Sequence, residues 1–415
     1  MKKTGEYQRL RHEIYESLRQ EGVFTWDWMY GKEYALADLC LISPEFRAEI
    51  ADVTERLGRI FARTMEVVQK AGDELLAELG IPEAARPAVR MSVCAEMPTL
   101  VGRFDFARTP RGLKMLEFNS DTPTCLVEGF HVNGVVCGKF GVENPNHGMR
   151  EHIRDAFATM VREYRRLGFA SDSIVFSSLG RHEEDRGTTR YLLDASGLDG
   201  RFVPLEELSY CQGRLHARDG DDWRPVDVWY RLHPIELMVK DRDKDGFPTG
   251  IRILELTVSR RLAMINPPSA LISQTKALQA LIWNLAESDL FFTDEERQTI
   301  RDHMLPTYLD NVFHGKRPYV SKPVFGREGG GVRLYDSTGG VIAQDGGTLY
   351  WDQPMVYQEL AELEWVEVET LQGTVRGKQL WGSFLIGGRA SAIVSRVDQE
   401  ITGNDSLFLP VGIRS

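Results

Sequence analysis

Two short runs constrain this chain more than any other feature: Arg103-Phe-Asp-Phe-Ala-Arg108 and Lys114-Met-Leu-Glu-Phe-Asn-Ser-Asp-Thr-Pro-Thr124, separated by Pro110-Arg111-Gly112. They read as two strands and a turn. Side chains alternate along a strand, so Arg103 and Asp105 share one face while Phe104 and Phe106 share the other. A three-residue loop with Gly112 in the left-handed position predicts Thr109 opposite Leu113, Asp105 opposite Glu117, and Arg103 opposite Asn119. One sheet surface then carries two carboxylates, an amide and a guanidinium. Adjacent carboxylates repel unless a cation lies between them. Oxygen donors suit Mg²⁺, with phosphate supplying the remaining ligands, and a guanidinium matches a pair of phosphate oxygens. The plainer alternative is a solvated face with cross-strand ion pairs.

The 415 residues exceed one ordinary core, so two or three packed subdomains around a cleft are expected. A formal net charge of −11 argues against a general nucleic-acid or anionic-membrane binder. Cys40, Cys94, Cys125, Cys137 and Cys211 are scattered and form no CxxC pair. No disulfide framework or zinc pattern follows, and a reducing compartment is expected. Cys125, with no accompanying histidine motif, reads as a core thiol. The amino terminus enters a charged helical pattern without an apolar signal core. No segment approaches the ~20 apolar residues that span a bilayer, so a cytoplasmic protein is expected.

Residues 1–98 read as a mainly helical scaffold. Ser43-Pro44 opens a long helix, along which Ile50, Val53, Leu57, Phe61, Met65 and Val68 recur at helical spacing until Gly80-Ile-Pro82. Residues 99–265 hold the hairpin and an α/β substrate region, with a helix over 152–167, a strand over 173–177, a helix over 186–194 and a strand over 228–232. Residues 213–224 read as polar and irregular. Residues 241–246 read as a solvated turn, lacking the closing glutamate of a calcium loop. Residues 266–415 read as a lid and nucleotide-binding strands. Helices are expected over 273–287 and 293–303, and strands over 318–323, 332–335, 355–360, 378–386 and 389–397.

In this last part, Tyr319-Val-Ser-Lys-Pro-Val-Phe-Gly-Arg-Glu-Gly-Gly-Gly331 reads as a strand ending in Lys322 and a glycine-rich loop. Such a loop lets backbone N–H groups approach phosphate, and Lys322 would add a point charge. The segment is neither a Walker A loop nor GxGxxG, and alone it reads equally as a mobile turn. Gln358-Glu359-Leu360, closing an apolar strand, could set backbone groups against an adenine edge.

These segments resemble the synthetase part of the glutathionylspermidine synthase family. The resemblance rests on Gly-Arg103-Phe-Asp105, Leu-Glu117-Phe-Asn119-Ser-Asp-Thr-Pro-Thr124, Ser-Gln-Thr-Lys276-Ala-Leu and Val-Ser-Lys322-Pro with Gly-Arg-Glu-Gly329. Tyr-Gln358-Glu-Leu360, Ser395-Arg396-Val-Asp and Thr402-Gly-Asn404-Asp-Ser406 continue it, in the family's order, over about residues 20–413. It implies an α/β (α+β) chain with a permuted ATP-grasp-like fold: a helical amino-terminal region, an α/β middle and a β-rich ATP-binding end. It implies Asp105, Glu117 and Asn119 as Mg²⁺ ligands, and Arg103, Lys276, Lys322, Gly329, Gln358, Glu359 and Leu360 around ATP. Thr122 and Thr124 fall near the acyl acceptor region and Arg396 near the reacting phosphate.

The family joins a carboxylate to an amine through an acyl phosphate. Phosphorylation gives the carboxylate a leaving group, while metal and cations neutralise the transferring phosphoryl. The expected protein is therefore an ATP- and Mg²⁺-dependent acid–amine ligase acting on small molecules, with Arg103 and Arg396 as catalytic cations. Bifunctional members carry an amidase domain, for which this chain leaves no room. Spermidine-binding members use adjacent acidic residues after a strand. Glu183-Glu184-Asp185 follows one here at a different spacing, and equally suits a helix's first turn; His182 beside it reads as solvated. The rival is a non-catalytic Mg-ATP-binding sensor or partner protein. A lost metal ligand or phosphate lysine would mark it, and neither is lost. A transition-metal hydrolase would need a His/Cys ligand cluster.

Overall fold

The computed structural model describes residues 2–97, 99–403 and 406–414. Its core is organised by three phenylalanines: Phe104 and Phe118 stack at 3.8 Å, and Phe61 packs edge-on against them at 5.5 and 5.2 Å. Phe61 belongs to the helix Pro44–Lys70, whose first turn is capped by the Ser43 side chain accepting from the Phe46 N–H. Its stripe Ile50, Val53, Leu57, Phe61, Met65 and Val68 is buried throughout, each side chain worth about 1.5–3 kcal/mol. The helix thereby takes the apolar face of the hairpin and leaves the opposite face to a cleft.

The hairpin strands are Val101–Thr109 and Gly112–Asn119, with Arg103 opposite Asn119 and Asp105 opposite Glu117. The turn differs from expectation. Only Pro110 and Arg111 connect the strands, and Thr109 faces Gly112 rather than Leu113. The offset is recovered at a bulge: Phe106 pairs with Met115, so Leu116 is the extra residue before Glu117.

The hairpin belongs to a six-stranded sheet ordered Leu407–Leu409, Arg389–Asp398, Gly373–Ile386, Val101–Thr109, Gly112–Asn119, with Trp365–Thr370 also paired to Gly373–Ile386. The middle and the end of the chain thus share one sheet. Gly382 lies opposite Asp105, where a Cβ would come within 2.9 Å of Arg103 Cδ and 2.7 Å of Val394 Cγ2. Its hydrogen leaves the space that the arginine stem occupies.

A five-stranded sheet, ordered Thr307–Tyr308, Met355–Glu359, Tyr319–Pro323, Arg333–Tyr335, Val341–Gln344, carries the glycine loop. A parallel sheet, ordered Ala263–Ile265, Val228–Arg231, Ile174–Ser177, Gly200–Phe202, forms the α/β middle. The helix after Ile174–Ser177 spans Glu183–Ser196, starting earlier than expected because the His182 ring caps the Asp185 N–H at 3.4 Å. The single helix expected over 273–287 is two, Ala270–Gln274 and Lys276–Glu287, divided at Thr275, whose hydroxyl caps the second. Residues 213–224 are not irregular. Leu208–Cys211, Arg214–Asp219 and Asp222–Pro225 form an antiparallel sheet, turned at left-handed Gly213 and Gly220. The middle strand does alternate, with Leu215 and Ala217 buried between polar neighbours, but Asp222–Pro225 is exposed throughout and the run is too short and polar to stand out. The chain is α+β, helical first, α/β in the middle and β-rich at the end. Among the described residues no helix is long and apolar enough to cross a membrane.

Candidate active site

The polar face of the hairpin and the five-stranded sheet bound a cleft that opens to solvent. Arg103, Asp105, Glu117 and Asn119 line it from the hairpin; Lys276, Lys322, Gly329 and Arg396 line it from other elements.

These side chains form one charge network. Asp105 Oδ1 accepts from Arg103 Nε at 2.6 Å; Oδ2 accepts from Arg103 Nη2 at 3.0 Å, Arg396 Nη2 at 2.9 Å and Asn119 Nδ2 at 3.3 Å. Glu117 lies 3.1 Å from Lys276 Nζ. Burial pushes the Glu117 carboxyl up, but Lys276 and Lys322 outweigh this and hold it at about 2. Lys276 Nζ also donates to Gly326 O at 2.8 Å, at the start of the glycine loop. Lys322 Nζ donates to Gln358 Oε1 at 2.8 Å and Leu116 O at 3.2 Å. Burial lowers the Lys322 ammonium to about 8, against the pull of Glu117. Four cations thus face two carboxylates in a largely buried setting, where unbalanced charge is costly. A polyanion corrects that imbalance. The carboxylate and amide oxygens, with no imidazole among them, have the donor chemistry of a hard cation and fit Mg²⁺.

Beyond Lys322 the cleft is walled by Leu116, Val320, Leu334, Leu360 and Leu380, an apolar end suited to a flat ring. Gln358 lines it and anchors Lys322. Glu359 does not line it: its carboxylate turns away to ion-pair with Arg111 and with Arg317 Nη1, the latter at 2.6 Å. The N–H groups of Glu359 and Leu360 donate to Pro306 O at 2.9 Å and Pro318 O at 3.2 Å. Of the backbone groups expected at an adenine edge, these two N–H groups are therefore already used.

The other end is lined by Met29, Tyr34, Thr122, Thr124, Cys125 and Glu184. Arg327 of the glycine loop donates from Nη1 to Thr122 Oγ1 and from Nε to Glu236 Oε1, both at 2.8 Å. Arg103 Nη1 donates to Thr124 O at 2.9 Å. Glu184 faces the cleft; Glu183 does not, and accepts from Thr25 Oγ1 at 2.5 Å on the surface. Neighbours at a helix start diverge by about 100°, so an adjacent acidic pair does not act as a pair here. Burial first, then Glu128 and Asp185, push the Glu184 carboxyl up to about 8. Cys125, expected in the core, is buried but forms part of the cleft wall. Thr402 and Ser406 also line the cleft, while Asn404 and Asp405 lie outside the described residues.

The profile of the glutathionylspermidine synthase preATP-grasp family matches residues 6–414. The chain belongs to this family. It is thereby placed among ATP-dependent, amide-forming ligases of the ATP-grasp type. A Haemophilus influenzae protein assigned as an acid–amine ligase is 26% identical over 411 residues, covering 96% of this chain and 93% of that one. Trypanothione synthetase of Crithidia fasciculata is 25% identical over 82% of this chain and 51% of its own length. The bifunctional glutathionylspermidine synthetase/amidase of Escherichia coli is 22% identical over 87% of this chain and 56% of its own. The chain thus spans about half the length of these last two. A solved protein of Methylobacillus flagellatus, assigned as a gamma-glutamylcysteine synthetase, aligns over 86% of each chain with 11% identity and a TM-score of 0.43.

In this preATP-grasp chain several supporting residues were given no role by the sequence, although Asp121 and Gln274 fall within motif runs quoted above. Asp121 is clamped by Arg231 at 2.6 and 3.2 Å, both side chains fully buried. Gln274 Oε1 accepts from the N–H groups of Ser120 and Asp121 at 2.9 and 3.0 Å. Asn266 accepts from the Leu100 and Val101 N–H groups and donates to Val101 O, Ser120 O and Asp121 O. Together they fix the turn that presents Thr122 and Thr124. Glu128, fully buried, accepts from Trp26 Nε1 at 2.9 Å and Tyr34 Oη at 3.0 Å through one oxygen, while its other oxygen has no hydrogen-bond partner among the described residues. Its sequence signal was a lone carboxylate in the run Leu126-Val127-Glu128-Gly129.

Proposed function

We propose that this chain is an ATP-dependent carboxylate–amine ligase forming an amide through an acyl phosphate, with release of ADP and phosphate. The observation that carries this reading is the convergence of Arg103, Lys276, Lys322 and Arg396 on the cleft that Asp105, Glu117 and Asn119 face. Mg²⁺ held by those three residues would neutralise phosphate charge. Lys276 and Lys322 hold the triphosphate, Gly329 presents a backbone N–H from the loop, Gln358 orients Lys322, and Leu360 walls the base. A carboxylate oxygen of the acid attacks the terminal phosphorus and ADP leaves, with Arg103 and Arg396 stabilising the transferring group. The amine nitrogen then attacks the acyl carbon, phosphate departs with that oxygen, and the nitrogen loses a proton. Thr122 and Thr124 line the acceptor end. Glu184 is the acidic group for the amine; Glu183, facing away, is withdrawn from that role.

The test uses an acid labelled with heavy oxygen in its carboxylate. Label is expected in the released phosphate, together with an amide product one water lighter than the acid and amine combined. Tight Mg-ATP binding with no turnover across a metabolite extract would leave the sensor reading in its place.

A further inference from the structure

Cys125 and Glu128 have no task in the ligation, yet they meet Glu184 at the acceptor end of the cleft. Cys125 Sγ and one carboxylate oxygen from each glutamate all lie within 4.8 Å of one another. Zinc bonds of about 2.0–2.3 Å place tetrahedral ligand atoms about 3.5 Å apart, so movements on the order of 1 Å would close this set. Glu128 points independently to a missing cation. It is 0% exposed, and one of its oxygens has no hydrogen-bond partner among the described residues. A buried carboxylate oxygen left bare costs about 1–3 kcal/mol or more.

We propose that Cys125, Glu128 and Glu184 bind one zinc-class divalent ion, at a site separate from Asp105, Glu117 and Asn119. A thiolate selects a borderline-soft ion over Mg²⁺. Three protein ligands leave a fourth position open toward the cleft. The sequence does not display the set, because Glu184 comes from another part of the chain and no CxxC or histidine pattern announces it. Occupation takes the carboxylate assigned above to the acceptor amine, so zinc inhibits competitively with the amine and not with ATP. That consequence rests on the ligase reading; the binding itself does not.

The intact chain is titrated with cobalt chloride, then zinc chloride, without ATP or Mg²⁺. One equivalent of Co²⁺ is expected to give a thiolate-to-cobalt charge-transfer band, displaced by Zn²⁺ and indifferent to Mg²⁺. Cys125→Ser removes the band, and Glu128→Gln weakens cobalt binding about tenfold or more. Thermal stabilisation by ATP in both variants shows that they fold. Asp105→Asn retains the band, since Asp105 is not among the three ligands. No band in the unaltered protein, a band that survives Cys125→Ser, or unchanged affinity in Glu128→Gln overturns the proposal. A band accompanied by zinc-insensitive amide formation leaves the site standing and removes its inhibitory role. A band with no amide formed from any acid and amine removes the ligase reading instead.

Discussion

Arg103 and Asp105, two positions apart on one strand, form a two-pronged ion pair, Nε to Oδ1 at 2.6 Å and Nη2 to Oδ2 at 3.0 Å, with both side chains buried. The pair depends on the neighbouring strand, because Gly382 leaves the arginine stem its path. Removing one partner of a buried pair strands the other's charge, at about 3–5 kcal/mol. Asp105→Asn is therefore expected to lower the urea midpoint of the nucleotide-free protein by a corresponding amount. It should also abolish the gain in ATP affinity on adding Mg²⁺. Equilibrium unfolding and calorimetry with and without Mg²⁺ check the two effects. A variant as stable as its parent would contradict the buried pairing.

Lys322 gives a pH signature. Burial lowers its ammonium to about 8, so it is charged below that pH and neutral above it. ATP favours the charged form. Affinity should fall as pH rises through 8, by at most about tenfold per pH unit, with proton uptake on binding. Lys322→Arg keeps its charge throughout and should flatten the curve. Calorimetry in buffers of different ionisation enthalpy measures the uptake.

Glu184 acts with the opposite sign. Its carboxyl, ordinarily near 4.5, is raised to about 8 by burial and then by Glu128. Between those values the folded chain holds a proton that the unfolded chain lacks. Its contribution to stability is complete below about 4.5 and lost as pH rises through 8. Glu184→Gln should weaken this decline, so that its Tm advantage over the parent grows from about pH 5 to about pH 9. In turnover it should raise the KM for amine and leave that for ATP unchanged; equal changes in both would place Glu184 outside the acceptor end.

What was legible in the sequence follows from the range of the interaction. The helix Pro44–Lys70 announces itself by period, since burial of one face is a local pattern; five of the strands after residue 318 were expected, whereas Val341–Gln344, Trp365–Thr370, Leu407–Leu409 and Val411–Ile413 were not. The pairing of Asp105 with Glu117 was legible too, although by cancellation. The turn is one residue shorter than expected and Leu116 bulges by one, and a bulge leaves no residue signature. Glu128 and Arg231 were not legible as site residues. Their partners Trp26 and Asp121 lie 102 and 110 positions away, and only the fold brings them together. Choosing between Glu183 and Glu184 needed the helix phase, which adjacency in sequence does not supply.

Gly329 separates loop closure from global stability. Its φ is +73°, and a Cβ there would meet Thr402 O at 2.8 Å and Ile401 Cγ2 at 2.9 Å. The closer contact is backbone, so a side chain cannot simply push it aside, and the left-handed conformation adds about 1 kcal/mol or more for alanine. Gly329→Ala should therefore hold the loop away from residues 401–403 while the distant core of the Pro44–Lys70 helix stays intact. ATP affinity should drop several-fold. Part of the remaining turnover should pass from amide to hydrolysis, because water reaches the acyl phosphate. The ratio of amide formed to phosphate released measures this partition. A ratio unchanged from the parent, with ATP affinity also unchanged, would show that closure against residues 401–403 has no part in the reaction.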